Sequence, residues 1–182
     1  MSEINAEVKW GLKDVALPTL DNPINPEVTP EQQMKLLYPN RPWESEPDYA
    51  EWVDPSTGYK CAIRRHETLG PLKGYVGVNR FHPAYGLNYE QANHCIDSDV
   101  HGGLTYAKTD KNEVHWFGFD CGHAGDFSPG LALNMLRYYP EARPDWVLPS
   151  LMNETYRTWE FVETEIMCLV RLLSKTNVTW TE

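Results

Sequence analysis

From about Asn153 to Lys175, Tyr156, Trp159, Val162, Ile166, Leu169, Val170 and Leu173 recur at helical spacing. Glu160, Glu163, Arg171 and Lys175 fall on the other side. A helix with one apolar stripe has to bury it against a second element. Most of the remaining signals are strands, so the pattern predicts an α+β fold: a mainly antiparallel sheet covered by a long C-terminal helix. Glu163 and Glu165 read as part of the solvated face of that helix.

The strands come in sequence. Tyr49 to Val53 and Tyr59 to Arg65 flank Asp54-Pro55-Ser56-Thr57-Gly58 and form a predicted hairpin. Leu72 to Asn79 is a third strand, with Gly74 and Gly77 marking bulges or close approach. Strand signals return at His101 to Ala107 and Glu113 to Phe119, joined by the polar loop Lys108 to Asn112. Antiparallel pairing of these two would set His101 beside Asp120 at one edge of the sheet. Short helices are expected at Tyr89 to His94 and Leu131 to Tyr138. Another begins at Thr29-Pro30-Glu31-Gln32, where Thr29 caps, Pro30 suits the first turn and Gln32 completes a capping box. It ends near Tyr38, because Pro39 disfavours α geometry in the residue before it. Residues 1–28 read as an extended N-terminal arm, and residues 29–182 as a single α+β domain.

A net charge of −10 disfavours nonspecific contact with nucleic acid or an anionic membrane. No apolar run approaches the roughly 20 residues that span a bilayer, and the N-terminus has no basic start followed by an apolar signal core. The expectation is a soluble cytoplasmic protein. Cys61, Cys95, Cys121 and Cys168 are scattered without a CxxC pair, which favours free thiols over a disulfide framework or a zinc ribbon. Cys168 and Cys61 read as small core residues.

The chemistry concentrates in two runs. Asp97-Ser98-Asp99-Val100-His101-Gly102-Gly103 and Asp120-Cys121-Gly122-His123-Ala124-Gly125-Asp126 place Asp and His among glycines where strands meet loops. His101, Asp120, His123 and Asp126 are the candidate catalytic residues: imidazoles exchange protons near neutral pH, and a carboxylate fixes the tautomer of a neighbouring imidazole. The same set could hold a divalent metal, although its spacing matches no established metal motif. Asp99, Gly102 and Gly103 are candidate ligand contacts, the glycines offering N–H groups to an anion. His82, Tyr85 and Tyr106 are candidates to line the same pocket. A bland alternative stands beside this one, because Asp side chains often hold turns together by bonding nearby backbone.

The strings Gly74-Tyr75-Val76-Gly77-Val78, His82-Pro83-Ala84-Tyr85-Gly86, Val100-His101-Gly102-Gly103-Leu104-Thr105-Tyr106 and Trp116-Phe117-Gly118-Phe119-Asp120-Cys121-Gly122-His123-Ala124-Gly125-Asp126 resemble a family of small uncharacterised bacteriophage proteins. The resemblance covers about residues 59–175. It implies an accessory role in infection, such as nucleotide metabolism or countering a host defence, in the host cytoplasm. Two function classes follow. One is a small hydrolase acting on a nucleotide or another phosphorylated small molecule. The other is a non-catalytic binding or inhibitory protein that sequesters a small ligand or occupies a host protein.

Overall fold

The structure, a computed structural model, describes residues 28–138 and 153–176. Helix α1 (Pro30–Leu37) starts where the capping box places it: Thr29 Oγ1 accepts from Gln32 N–H, and Gln32 Oε1 accepts from Thr29 N–H. Pro42–Glu44 forms a single 3-10 turn. Strands β1 (Tyr49–Val53), β2 (Lys60–Arg65), β3 (Leu72–Val78), β4 (Tyr106–Thr109) and β5 (His115–Asp120) form one sheet in the order β1-β2-β3-β5-β4. Every neighbouring pair is antiparallel. Helices α2 (Tyr89–Ile96), α3 (Pro129–Tyr138) and α4 (Trp159–Ser174) complete the described elements. The expected N-terminal arm falls on residues 1–27, outside the described residues, except for Val28.

The core lies between one sheet face and α4. Alternation along the strands sends Cys61, Ile63, Val76, Phe117 and Phe119 to that face, and each is at most 1% exposed. They meet Val162, Ile166, Leu169, Val170 and Leu173, the stripe that the periodicity marked. Gly74 permits the close approach: a Cβ there would overlap the Phe119 ring and touch Ile166. Leu169 is fully buried, so Leu169→Ala should destabilise the fold by about 2–5 kcal/mol through lost transfer energy and a residual cavity. Urea denaturation of the two proteins reads this directly.

A second cluster packs α1 against α3 around Met34, Phe127, Ala132 and Leu136. Tyr38 and Trp43 stack on Phe127, with ring centroids 4.4 and 5.3 Å away, and Trp43 meets Tyr156 edge-on at 5.0 Å. Beside it, Glu46 accepts from Tyr156 Oη at 2.6 Å and from Trp159 N–H at 2.9 Å, while Arg65 donates to Glu46 at 3.1 Å. This network fixes residues 156–159 as they lead into α4.

Two boundaries differ by about five residues or more from the sequence expectation. The C-terminal helix begins at Trp159, not near Asn153, because Thr158 caps it by accepting from Phe161 N–H. The residues ahead of it are extended, and Thr155 pairs with Asp126 in an isolated parallel bridge. Strand β4 begins at Tyr106, not His101. Gly102 (φ +67°) and Gly103 (φ +77°) curl the chain into a turn closed by Gly103 N–H to Val100 O at 2.8 Å. From this side Asp120 is reached by the Thr105 hydroxyl, at 2.9 Å, and not by His101.

Candidate functional site

Three of the four candidate catalytic residues converge. His101 lies in the turn before β4, and His123 and Asp126 in the loop after β5. His101 Nε2 lies 2.7 Å from Asp126 Oδ2, and that oxygen also accepts from His123 N–H at 3.0 Å. Arg157 Nε donates to Asp126 Oδ1 at 2.7 Å. The Asp126 side chain is 1% exposed, against 17% for His101 and 32% for His123. Burial pushes the Asp126 carboxyl up, but the hydrogen bonds from His101, Arg157 and His123 N–H outweigh it and hold the group below the usual carboxylate range. Asp126 is thus an anion at neutral pH, wedged between two imidazoles and a guanidinium.

Local sequence explains the convergence. Gly125 (φ +91°) lets the loop reverse, with Asp126 N–H closing on His123 O at 2.9 Å. Thr155 N–H to Gly125 O and Phe127 N–H to Thr155 O then stitch this loop to the segment carrying Arg157. The His101 ring stands edge-on to both His123 and Phe161, with centroids 5.4 and 5.3 Å away. Its backbone N–H donates to Glu165 Oε2 at 2.7 Å. Gly102 lies directly against the His123 imidazole, in space that a Cβ would occupy. His123 Nδ1 is buried, 3.6 Å from Asp126 Oδ2, and has no hydrogen-bond partner among the described residues.

Asp120 does not join this group. It alternates with Phe119, which faces the core, so its carboxylate lies on the opposite face of the sheet. There it accepts from Thr105 Oγ1 at 2.9 Å and Gly122 N–H at 3.0 Å, a turn-holding role. Asp99 is exposed and contacts the Cys168 thiol at 3.5 Å. Gly103 N–H is used in its own turn, which leaves Gly102 N–H as the backbone donor without an acceptor among the described residues.

His82, Tyr85 and Tyr106 lie elsewhere. His82 Nδ1 accepts from Ala84 N–H at 3.0 Å, so Nε2 carries the proton and donates to Leu173 O at 3.0 Å. Burial lowers its pKa, consistent with a neutral clamp between a loop and α4. Tyr85 packs on His115, which is itself buried and bonded to Leu87 O. Tyr106 stands on the open sheet face beside Tyr75.

The four cysteines are free thiols. Cys121 borders the site, but burial, reinforced by the Asp126 and Asp120 charges, pushes its thiol up to about 12. A thiol so protonated is no nucleophile at neutral pH.

The chain matches no protein-family model, no curated protein and no solved structure. Its site is therefore read from geometry. Sequence reasoning missed three contributors. Glu165 shares a half-buried helical stripe with Phe161, Cys168 and Leu172, a pattern visible in the spacing but assigned to solvent. Arg157 carried no local signal. Glu154 is held above its usual range by burial and by repulsion from Asp126, and lies in the segment expected to be helix. One ring nitrogen from each of His101 and His123 and one oxygen of Asp126 all lie within 4.8 Å of one another, a set able to hold a metal ion.

Proposed function

We propose that the protein is a small hydrolase acting on a nucleotide or another phosphorylated small molecule, with a water activated at the His101–Asp126 pair. The 2.7 Å contact between His101 Nε2 and the buried Asp126 carboxylate carries this reading. A carboxylate so placed holds the proton on Nε2, leaves the Nδ1 lone pair as the base, and stabilises the imidazolium that forms. His123, the more exposed imidazole, is the group assigned to protonate the leaving oxygen in this reading. Gly102 N–H and Arg157 supply the positive character that an anionic substrate needs on an acidic protein. The resemblance to small phage proteins supports an accessory role in the host cytoplasm. Among the described residues, no helix is long and apolar enough to cross a membrane.

The unpartnered His123 Nδ1 favours a second reading, in which His101, His123 and Asp126 hold a divalent cation. Ligand atoms around a tetrahedral ion with bonds of about 2.0–2.1 Å sit roughly 3.4 Å apart. The 3.6 Å separation of His123 Nδ1 and Asp126 Oδ2 fits this, and the 2.7 Å His101–Asp126 contact would have to widen. When bound, such an ion lowers the pKa of a ligated water and polarises a phosphoryl oxygen.

Both readings are tested by elemental analysis of the purified chain and turnover assays on a panel of nucleotides and sugar phosphates, with and without chelator. His101→Ala should lower kcat by about 10²–10⁴-fold, while His94→Ala, at an exposed position, leaves it unchanged. Chelator-insensitive turnover selects the acid–base pair. Chelator-sensitive turnover restored by a divalent ion selects the cation. Absence of turnover across the panel rejects the hydrolase and leaves the binding or inhibitory protein.

A further inference from the structure

The sheet has a second face, and it is chemically unlike the rest of this acidic molecule. Helix α4 covers only the side carrying Cys61, Val76 and Phe117. The other side presents three rows running across the strands, set by the register. One row carries Arg64, Lys73 and Asp120, side by side on β2, β3 and β5. The next carries Tyr75, Gly118 and Tyr106. The third carries Lys60, Trp116 and Lys108. Of these, Lys60, Arg64, Tyr75, Tyr106 and Trp116 line a groove of about 360 Å³ that Lys73 and Lys108 flank.

Part of this pattern is structural. The Tyr75 ring lies against Gly118 and the Trp116 indole against Gly77, so each aromatic fills the space its cross-strand glycine leaves. That packing does not account for the cations. Lys60, Arg64, Lys73 and Lys108 form no ion pair among the described residues, whereas Arg41, Arg65, Arg80, Arg137 and Arg157 each do. Four cations without an ion pair among the described residues thus share this face with Glu51, Asp110 and Asp120, a local positive excess on a chain with net charge −10. Arg64 and Lys60 are four residues apart on one strand, about 13 Å at the usual rise. A mononucleotide on the central aromatics would reach one cationic row. A chain of phosphates would reach both.

We propose that this open face binds single-stranded nucleic acid. Its bases would stack on Tyr106, Tyr75 and Trp116 while its phosphates meet the two flanking rows. Stacking on a flat aromatic face requires unpaired bases, so a duplex is disfavoured. Glu51 and Asp110 border the groove, Asp120 ends the row of Arg64 and Lys73, and all three weaken attraction to phosphate. The first two are partly engaged already, Glu51 by the Tyr49 hydroxyl and Asp110 by the Trp116 indole N–H. This surface is independent of the His101–Asp126 site, which lies on the helix side of the sheet.

The test is fluorescence anisotropy of a labelled oligothymidine of about 12 nucleotides titrated with the full chain. Binding should weaken by up to roughly 50-fold between about 50 and 200 mM salt, the slope expected for as many as four phosphate contacts with a single strand. A Lys60→Glu, Arg64→Glu double variant should lose binding at least tenfold. Tyr106→Ala should lose it about fivefold or more. Tyr106 is 39% exposed and outside the core, so its thermal melt should stay that of wild type. A duplex of the same length should bind more weakly. Three results overturn the proposal: no binding at about 100 µM protein in low salt, binding that ignores all three substitutions, or thymidine monophosphate competing as well as the oligonucleotide.

Discussion

Asp126→Asn is expected to cost about 3–5 kcal/mol of folding stability and to abolish turnover. Asp126 accepts from His101, Arg157 and His123 N–H with its side chain 1% exposed. Removing one member of a buried, hydrogen-bonded charge group leaves its partners uncompensated. An asparagine amide also turns an NH₂ toward a donor whichever way it is flipped. The effect carries a pH signature. The folded carboxyl is held below its unfolded value, so its contribution is complete above the unfolded pKa of about 3.9 and is lost as pH falls through the lower folded value. Urea denaturation should therefore show the full gap between wild type and variant at neutral pH, narrowing in acid below about pH 4. A gap that persists unchanged there would mean that the charge of Asp126 contributes nothing.

Gly102→Ala should leave the fold largely intact and still disable the site. Two costs add. An alanine at φ +67° carries the left-handed penalty of about 1–2 kcal/mol, and its methyl would occupy the space of the His123 imidazole. The ring is the softer partner and must move. Misplacing a catalytic group by about 1 Å can cost on the order of 10²-fold in rate. Gly86→Ala separates the two costs: its φ is +84°, and a Cβ there meets nothing within 4 Å. Gly86→Ala should therefore show the backbone cost alone in thermal stability, and Gly102→Ala at least that much. Only Gly102→Ala should lower kcat and shift the His123 imidazole resonances.

The strands and the covering helix were legible because each buries one face, and one-sided burial leaves a period of two or of 3.6 in the sequence. Val162, Ile166 and Leu169 could be assigned by counting. The boundaries set by caps and turns were harder. Thr158 starts α4 through a single hydroxyl, and the Gly102-Gly103 turn that delays β4 looks in sequence like a strand bulge. The site followed the same division. His101, His123 and Asp126 were visible as chemistry-bearing residues in two runs, but the expected route to their meeting was strand pairing. In the structure they meet through turns, and the pairing instead delivers Thr105 to Asp120. Arg157 reaches the site from the lead-in to α4 through tertiary packing, which leaves no trace in local spacing, whereas Glu165 lies on a half-buried helical stripe that the spacing carried and that was assigned to solvent. His82 and Tyr85 drew attention by residue type alone, and their hydrogen bonds and packing are spent holding a loop to the core.

The contacts that hold the site span long stretches of chain: 25 residues from His101 to Asp126, 31 from Asp126 to Arg157 and 64 from His101 to Glu165. Loop closures of this kind reward the chain only after most of its entropy is spent. On a ribosome, the pocket cannot close until Glu165 has emerged and α4 has docked. The carboxylate that holds the His101 backbone thus arrives only with the C-terminal helix, which makes the turn carrying His101 dependent on the last part of the chain to be synthesised.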